Sequence, residues 1–257
     1  MRFWYLFKRE LQSLFLSPIA TAVGTLFLFL NGVWLTMTLF NATQGVPAPA
    51  SYVYSNWLAS LVTWMELWVL IPIITMRLMS DEKRQGSLEL LLTAPVSDLS
   101  IILSKWLGAL AFYIILWTPS LIVFLLLRLY APMDYRSFLT SLLMIVLIGA
   151  LWCAVGLLFS TLTAHMAIAA LLTGSAFFAS LLIGVISNLP LEAFQLGNAK
   201  GLAEFFLGVC KQFNVLDAMG VFAKGTVDSR NLVFYLSMTA LTLLTTHQLL
   251  AARRYRG

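Results

Sequence analysis

The chain has 257 residues, 60% hydrophobic and 11% charged, with a mean hydropathy of +0.89. A soluble globular domain carries about 45–50% apolar and about 25% charged residues, so this composition excludes one and calls for a membrane. The net charge of +5 does not point to nucleic acid, because the basic residues stand at the ends of apolar runs, a pattern of membrane orientation rather than phosphate tracking.

Residues 2–16 place Phe3, Trp4, Phe7, Leu11, Leu14 and Phe15 on one helical face and Arg2, Arg9 and Ser13 on the other. This predicts an interfacial helix on the membrane surface, its basic face toward anionic lipid headgroups. The Ser17-Pro18 pair marks a fresh helix start. A charge-free first span follows over residues 19–40, long enough for a core of about 30 Å. It is too long, and lacks the small-residue cleavage site, for a signal peptide. Asn31 is its strongly polar interior residue and either lines a path or bonds to a neighbouring helix.

The second span covers residues 57–79 and contains Glu66, with Ser60 and Thr63 on nearly the same helical face. A charge at that depth costs about 2.5–3.5 kcal/mol on insertion scales, so the carboxyl needs a partner, water or a proton. Glu66 either marks a translocation path or subunit interface, is a neutral group satisfied by nearby hydroxyls, or snorkels to the outer face. The charged stretch Arg77–Ser97 then lies between two apolar runs. On a helical wheel Glu82, Gln85, Gly86 and Glu89 share one side and Leu88, Leu91 and Leu92 the other, until Pro95 stops the helix. The result is a short amphipathic helix held between two spans.

The third span runs over residues 101–130, with Pro119 expected to kink it and Lys105 close enough to its end to snorkel to headgroups. The fourth covers 137–160 and ends in a tight turn through His165, expected to be a solvated loop histidine. The fifth, 166–187, is rich in small residues, among them Gly174, Ser175, Ala179 and Gly184, which suits a buried or subunit-facing helix. Residues 188–228 carry apolar residues at helical spacing, including Leu202, Phe206, Val209 and Leu216. They predict an amphipathic helical element on the outer leaflet, or a plain structural cap. The sixth span covers 230–250.

Six spans put both ends on one side. Ten basic residues fall on that side (Arg2, Lys8, Arg9, Arg77, Lys83, Arg84, Lys105, Arg253, Arg254, Arg256) and six on the other. The bias orients both termini, and the Glu82–Thr93 helix, toward the cytoplasm. The expected fold class is therefore all-α and polytopic, one transmembrane domain over residues 1–257. Its parts are 1–17 interfacial, 18–79 the first two spans, 80–97 the inner helix, 98–187 spans three to five, 188–228 the outer element and 229–257 the last span and basic tail.

The chemistry of enzymes is missing from the sequence. There is no Gly-x-x-x-x-Gly-Lys-Ser/Thr loop to cradle ATP phosphates, no His-Glu-x-x-His and no Gly-x-Ser-x-Gly. Cys153 and Cys210, one in a span and one in the outer loop, make neither a disulfide framework nor a metal site.

Glu82-x-x-x-Gly86, Thr93-Ala94-Pro95-Val96-Ser97 and Leu103-Ser104-Lys105-Trp106-Leu107-Gly108 together resemble type-2 ABC transporter permeases. Leu70–Leu78, Leu157–Thr163 and Gly225–Asn231 extend the similarity toward the gliding-motility-type subgroup. The resemblance implies an exporter subunit in the bacterial inner membrane that binds no cofactor itself, with ATP and Mg²⁺ held by a partner ABC ATPase subunit. It also implies a second permease copy or homologue and a further subunit with a large extracytoplasmic part. The inner helix would be the coupling helix, with Glu82, Gly86, Leu88, Glu89, Leu91, Leu92 and Pro95 engaging the ATPase. Glu82 would offer a charge to the ATPase surface, and Gly86 would admit a partner backbone. Asn31, Thr63, Glu66 and Ser175 are the candidates for the translocation path or subunit interface. The rival assignments are the permease of a nitrous-oxide-reductase maturation system and a stand-alone secondary transporter or channel. The stand-alone reading predicts inverted repeats and more ionisable groups inside the spans.

Overall fold

The computed structural model describes residues 2–44, 56–58, 60–87, 97–127, 135–187, 208 and 214–254. Among them the chain is all-α. In order, the helices are α1 (Arg2–Phe15), α2 (Pro18–Gln44), α3 (Leu61–Thr75), α4 (Arg77–Arg84), α5 (Asp98–Leu127), α6 (Tyr135–Leu162), α7 (Met166–Ser187), α8 (Val215–Ala223) and α9 (Ser229–Arg254). Six stretches are long and apolar enough to cross a membrane: Pro18–Asn41, Leu61–Arg84, Asp98–Val123, Tyr135–Leu162, Met166–Ile186 and Ser229–Ala252. The chain is a polytopic membrane protein of the expected class.

α2 starts anew where Ser17-Pro18 predicts. Ser17 accepts from Ala20 N at 3.4 Å through its hydroxyl and from Thr21 N at 3.0 Å through its carbonyl, while Pro18 lacks the N–H that the first turn would leave unused. α1 packs along α5, with Leu14 buried and Phe15 edge-on to Phe112 at 4.9 Å, while Trp4 and Tyr5 stay exposed. Gly108 makes this approach possible, since a Cβ there would stand 3.1 Å from the Glu10 Cβ.

The second span differs most from expectation. Its helix starts at Leu61, capped by Ser60, and does not end near residue 79. Met76 keeps helical dihedrals and its N–H still reaches Pro72 O at 2.9 Å, so α4 continues α3 after one irregular residue. The helix containing Glu82 is thus the last part of the second span and closes at Arg84. Gln85 N bonds to Asp81 O at 3.0 Å and Gly86 N to Lys83 O at 3.2 Å, with Gly86 at φ +69°. That left-handed conformation suits glycine and terminates helices. Gly86 is therefore a turn, not a residue on the helical face shared with Glu82.

α6 is the central helix and contacts α3, α4, α5, α7, α8 and α9. Two of its glycines admit neighbours that a methyl group would exclude. A Cβ on Gly149 would sit 2.3 Å from Tyr113 Cε1, and one on Gly156 would sit 2.1 Å from Thr75 Oγ1. Around it, aromatic rings meet edge-on or tilted: Trp152 with Phe177 at 4.6 Å, Phe27 with Trp117 at 5.4 Å and Trp57 with Trp117 at 5.6 Å. Pro119 lies inside α5, which runs through it as one helix.

At the end opposite the termini, α8 is the described part of the expected outer element. It packs against α6 and α7. Val215, Ala218, Met219, Phe222 and Ala223 are buried, and Thr140 of α6 donates to Phe222 O at 2.5 Å. Asn214 caps α8 and also donates to Gly184 O on α7 at 3.1 Å. Leu202, Phe206 and Val209 lie outside the described residues.

Candidate functional site

Three elements meet at the end of the bundle that carries both described chain ends. Lys105 of α5 is only 2% exposed, and its Nζ stands 2.8 Å from Glu82 Oε1 and 3.1 Å from Glu10 Oε1. Arg9 Nη2 closes the cluster, 2.9 Å from Glu10 Oε1 and 3.3 Å from Glu82 Oε1. The Glu10 hydrogen bond, supported by the Glu82 charge, raises the Arg9 pKa above its ordinary value. Two carboxylates balance two cations, so burial leaves no net charge. Lys105 therefore does not snorkel to headgroups as expected; α1 covers it and supplies a counter-ion.

The local sequence explains this geometry. Glu10 falls in the Phe3, Phe7, Leu14 series, on the face of α1 that is otherwise apolar. A carboxylate on a buried face needs a cation opposite, and Lys105 provides it. Gly108, one turn further along α5, provides the space for α1. Glu10 was not singled out in the sequence. The signal available was a lone acid on an apolar helical face.

On the other flank α4 is fastened to the end of α6. Ser160 Oγ accepts from Met79 N at 2.9 Å and Ser80 N at 3.0 Å, and Ser80 Oγ lies 3.2 Å from Ser160 O as donor. Lys83 Nζ donates to Thr161 O. Arg77 pairs with Asp81 at 3.1 Å and donates to Ser17 Oγ. A cleft of about 280 Å³ opens between α1, α4 and α5, with Ser13, Ser17, Asp81 and Gln85 on its walls. Arg84, Gln85 and Gly86 are exposed at the tip. Leu88, Glu89, Leu91, Leu92 and Pro95 lie outside the described residues.

The candidates placed within the membrane divide. Asn31, fully buried, donates to Glu66 Oε2 at 3.2 Å and accepts from Ser120 Oγ at 2.6 Å, joining α2, α3 and α5. Thr63 does not join them. Its hydroxyl donates to Trp57 O at 2.6 Å and lies 3.0 Å from Ser60 Oγ, as part of the α3 cap. Ser175 is exposed on α7, its hydroxyl bonded back to Leu172 O at 3.0 Å. On the same helix Gly174 O accepts from Trp68 Nε1 at 2.8 Å. No group of metal-ligating side chains occurs among the described residues.

Residues 62–254 match the family described as ABC-2 family transporter protein. The matched region starts one residue into α3 and ends with α9, taking in α4, Lys105 and Ser160, while α1 and α2 precede it. No curated protein matches the chain.

Proposed function

The chain belongs to the ABC-2 family of transporter proteins, and from that membership we propose that it is the permease subunit of an ABC-type exporter served by a separate ATPase. ATP binding on the partner would move α4, and the bundle would rock between inward- and outward-facing states. The termini end of the bundle would then face the cytoplasm of a bacterial inner membrane, in agreement with the ten basic residues on that side.

The observation that carries the reading is the way α4 is held. Its tip is exposed at Arg84, Gln85 and Gly86, whereas its body is tied to α1 and α5 through Glu82 and to α6 through Ser80 and Lys83. A push on the tip therefore reaches three other helices without passing through a flexible joint. Glu82 transmits, with one oxygen bound within the chain, and Gly86 turns the chain toward residues 88–95, which would complete the ATPase contact. Two permease copies would pair, with the exposed Ser175 face of α7 among the available surfaces. The blocks at 70–78, 157–163 and 225–231 favour the gliding-motility-type subgroup, which adds a subunit with a large extracytoplasmic part.

Co-purification with candidate ABC ATPases tests the proposal. The paired change Arg84→Glu and Gln85→Trp alters only the exposed tip. It should abolish ATPase capture while thermal unfolding of the purified permease is unchanged. Undiminished capture by this variant would remove α4 as the contact.

A further inference from the structure

Between α2 and α3 lies an open groove of about 310 Å³, walled almost wholly by hydrocarbon and aromatic groups, among them Phe27, Leu30, Trp34, Met65 and Val69. It follows α2 from Val23 to Trp34, roughly 16 Å of helix. One wall residue is ionisable. Glu66 is 7% exposed, and its Oε1 has no hydrogen-bond partner among the described residues, although its Oε2 accepts from Asn31. Trp34 Nε1, on the same groove, is likewise buried without a partner.

The polar chain behind the groove has a direction. Ser120 donates to Asn31, and Asn31 donates to Glu66, so every hydrogen bond presents donors toward the carboxylate and leaves Oε1 as an acceptor. An unpartnered, buried acceptor on a carboxylate that lines an apolar trough complements a particular kind of molecule. We infer that this groove binds a small amphiphile with an aliphatic body and a cationic amine head, the head donating to Glu66 and the body lying along α2. The volume is at the lower end of ligand pockets and suits a single chain.

A second copy of the protein is the less suitable occupant. Among the described residues, the basic groups at the far ends of the spans are Arg136 and Arg230, each one residue into its helix. Glu66 lies five residues into α3, about 8 Å along its axis. A phosphatidylcholine chain would fill the trough but offer no N–H or O–H donor to Oε1.

The test is equilibrium binding of radiolabelled dodecylamine to the full chain in nanodiscs of zwitterionic lipid, without nucleotide, so its outcome is independent of the ATPase reading. Dodecanol and dodecanoate serve as competitors of equal chain length. The expected result is saturable binding of one amine per chain, displaced at least tenfold more weakly by either competitor. Glu66→Gln, which keeps the acceptor for Asn31, should weaken amine binding at least tenfold without lowering the unfolding temperature. Leu30→Trp, which fills the trough, should also abolish binding. Equal competition by the three compounds would identify a lipid-filled trough and overturn the proposal, as would unchanged binding by Glu66→Gln. Disulfide cross-linking of chains carrying Met65→Cys, with loss of amine binding, would assign the groove to a second copy and equally overturn it.

Discussion

Lys105 Nζ lies 2.8 Å from Glu82 Oε1 and 3.1 Å from Glu10 Oε1, so one buried ammonium joins three helices that are separated in the chain. Removing it alone leaves two carboxylates facing each other with only Arg9 between them. Lys105→Met should destabilise the purified protein by about 3–5 kcal/mol, the usual cost of orphaning a buried ionic partner. Combining it with Glu10→Gln and Glu82→Gln should recover much of that loss. Thermal unfolding in one detergent compares the variants.

Gly108 predicts a second effect at the same junction. A Cβ would already stand 3.1 Å from the Glu10 Cβ, so the branched side chain of Gly108→Val should force α1 away from α5. Cysteine cross-linking between Phe15 and Phe112, whose rings are now 4.9 Å apart, should fall sharply in that variant. An unchanged cross-linking yield would mean that Gly108 is not what seats α1.

Ser160 holds two backbone donors of the α4 region. Ser160→Ala would leave Met79 N and Ser80 N without their shared acceptor, a loss of about 1–3 kcal/mol for buried groups. Hydrogen exchange at those two amides should accelerate, while exchange in α8 at the far end stays as it was.

Gly86 separates backbone conformation from side-chain recognition. At φ +69° an alanine is strained by roughly 1–2 kcal/mol, whereas asparagine tolerates the region, and a Cβ meets nothing within 4 Å. Gly86→Asn should therefore keep ATPase capture, and Gly86→Val should reduce it. Equal loss in both would show that the space at Gly86, rather than its dihedral angle, is what a partner uses.

The six spans were legible because a membrane helix is written as uninterrupted apolar length. The sites were less so. Lys105 and Glu10 are 95 positions apart, and Asn31 and Ser120 are 89 apart, so nothing local announces either pair. Asn31 and Glu66 stood out separately as polar residues in apolar runs, and folding brought them together. Thr63 shares the helical face of Glu66 but is committed, with Ser60, to capping α3. The end of the second span at Arg84 was hidden because charged residues from Arg77 on look like the start of a new element, while Met76 lets the same helix continue.

The most direct test of the coupling account is site-specific cross-linking from Gln85→Cys, with Cys153 and Cys210 replaced, to the ATPase that co-purifies with the permease. Thr226→Cys, exposed at the opposite end, serves as the control position. A cross-link from position 85, absent from 226 and changed in yield when ATP is added, is the predicted result. Cross-linking from 226 with none from 85 would place the ATPase at the wrong end and contradict the account.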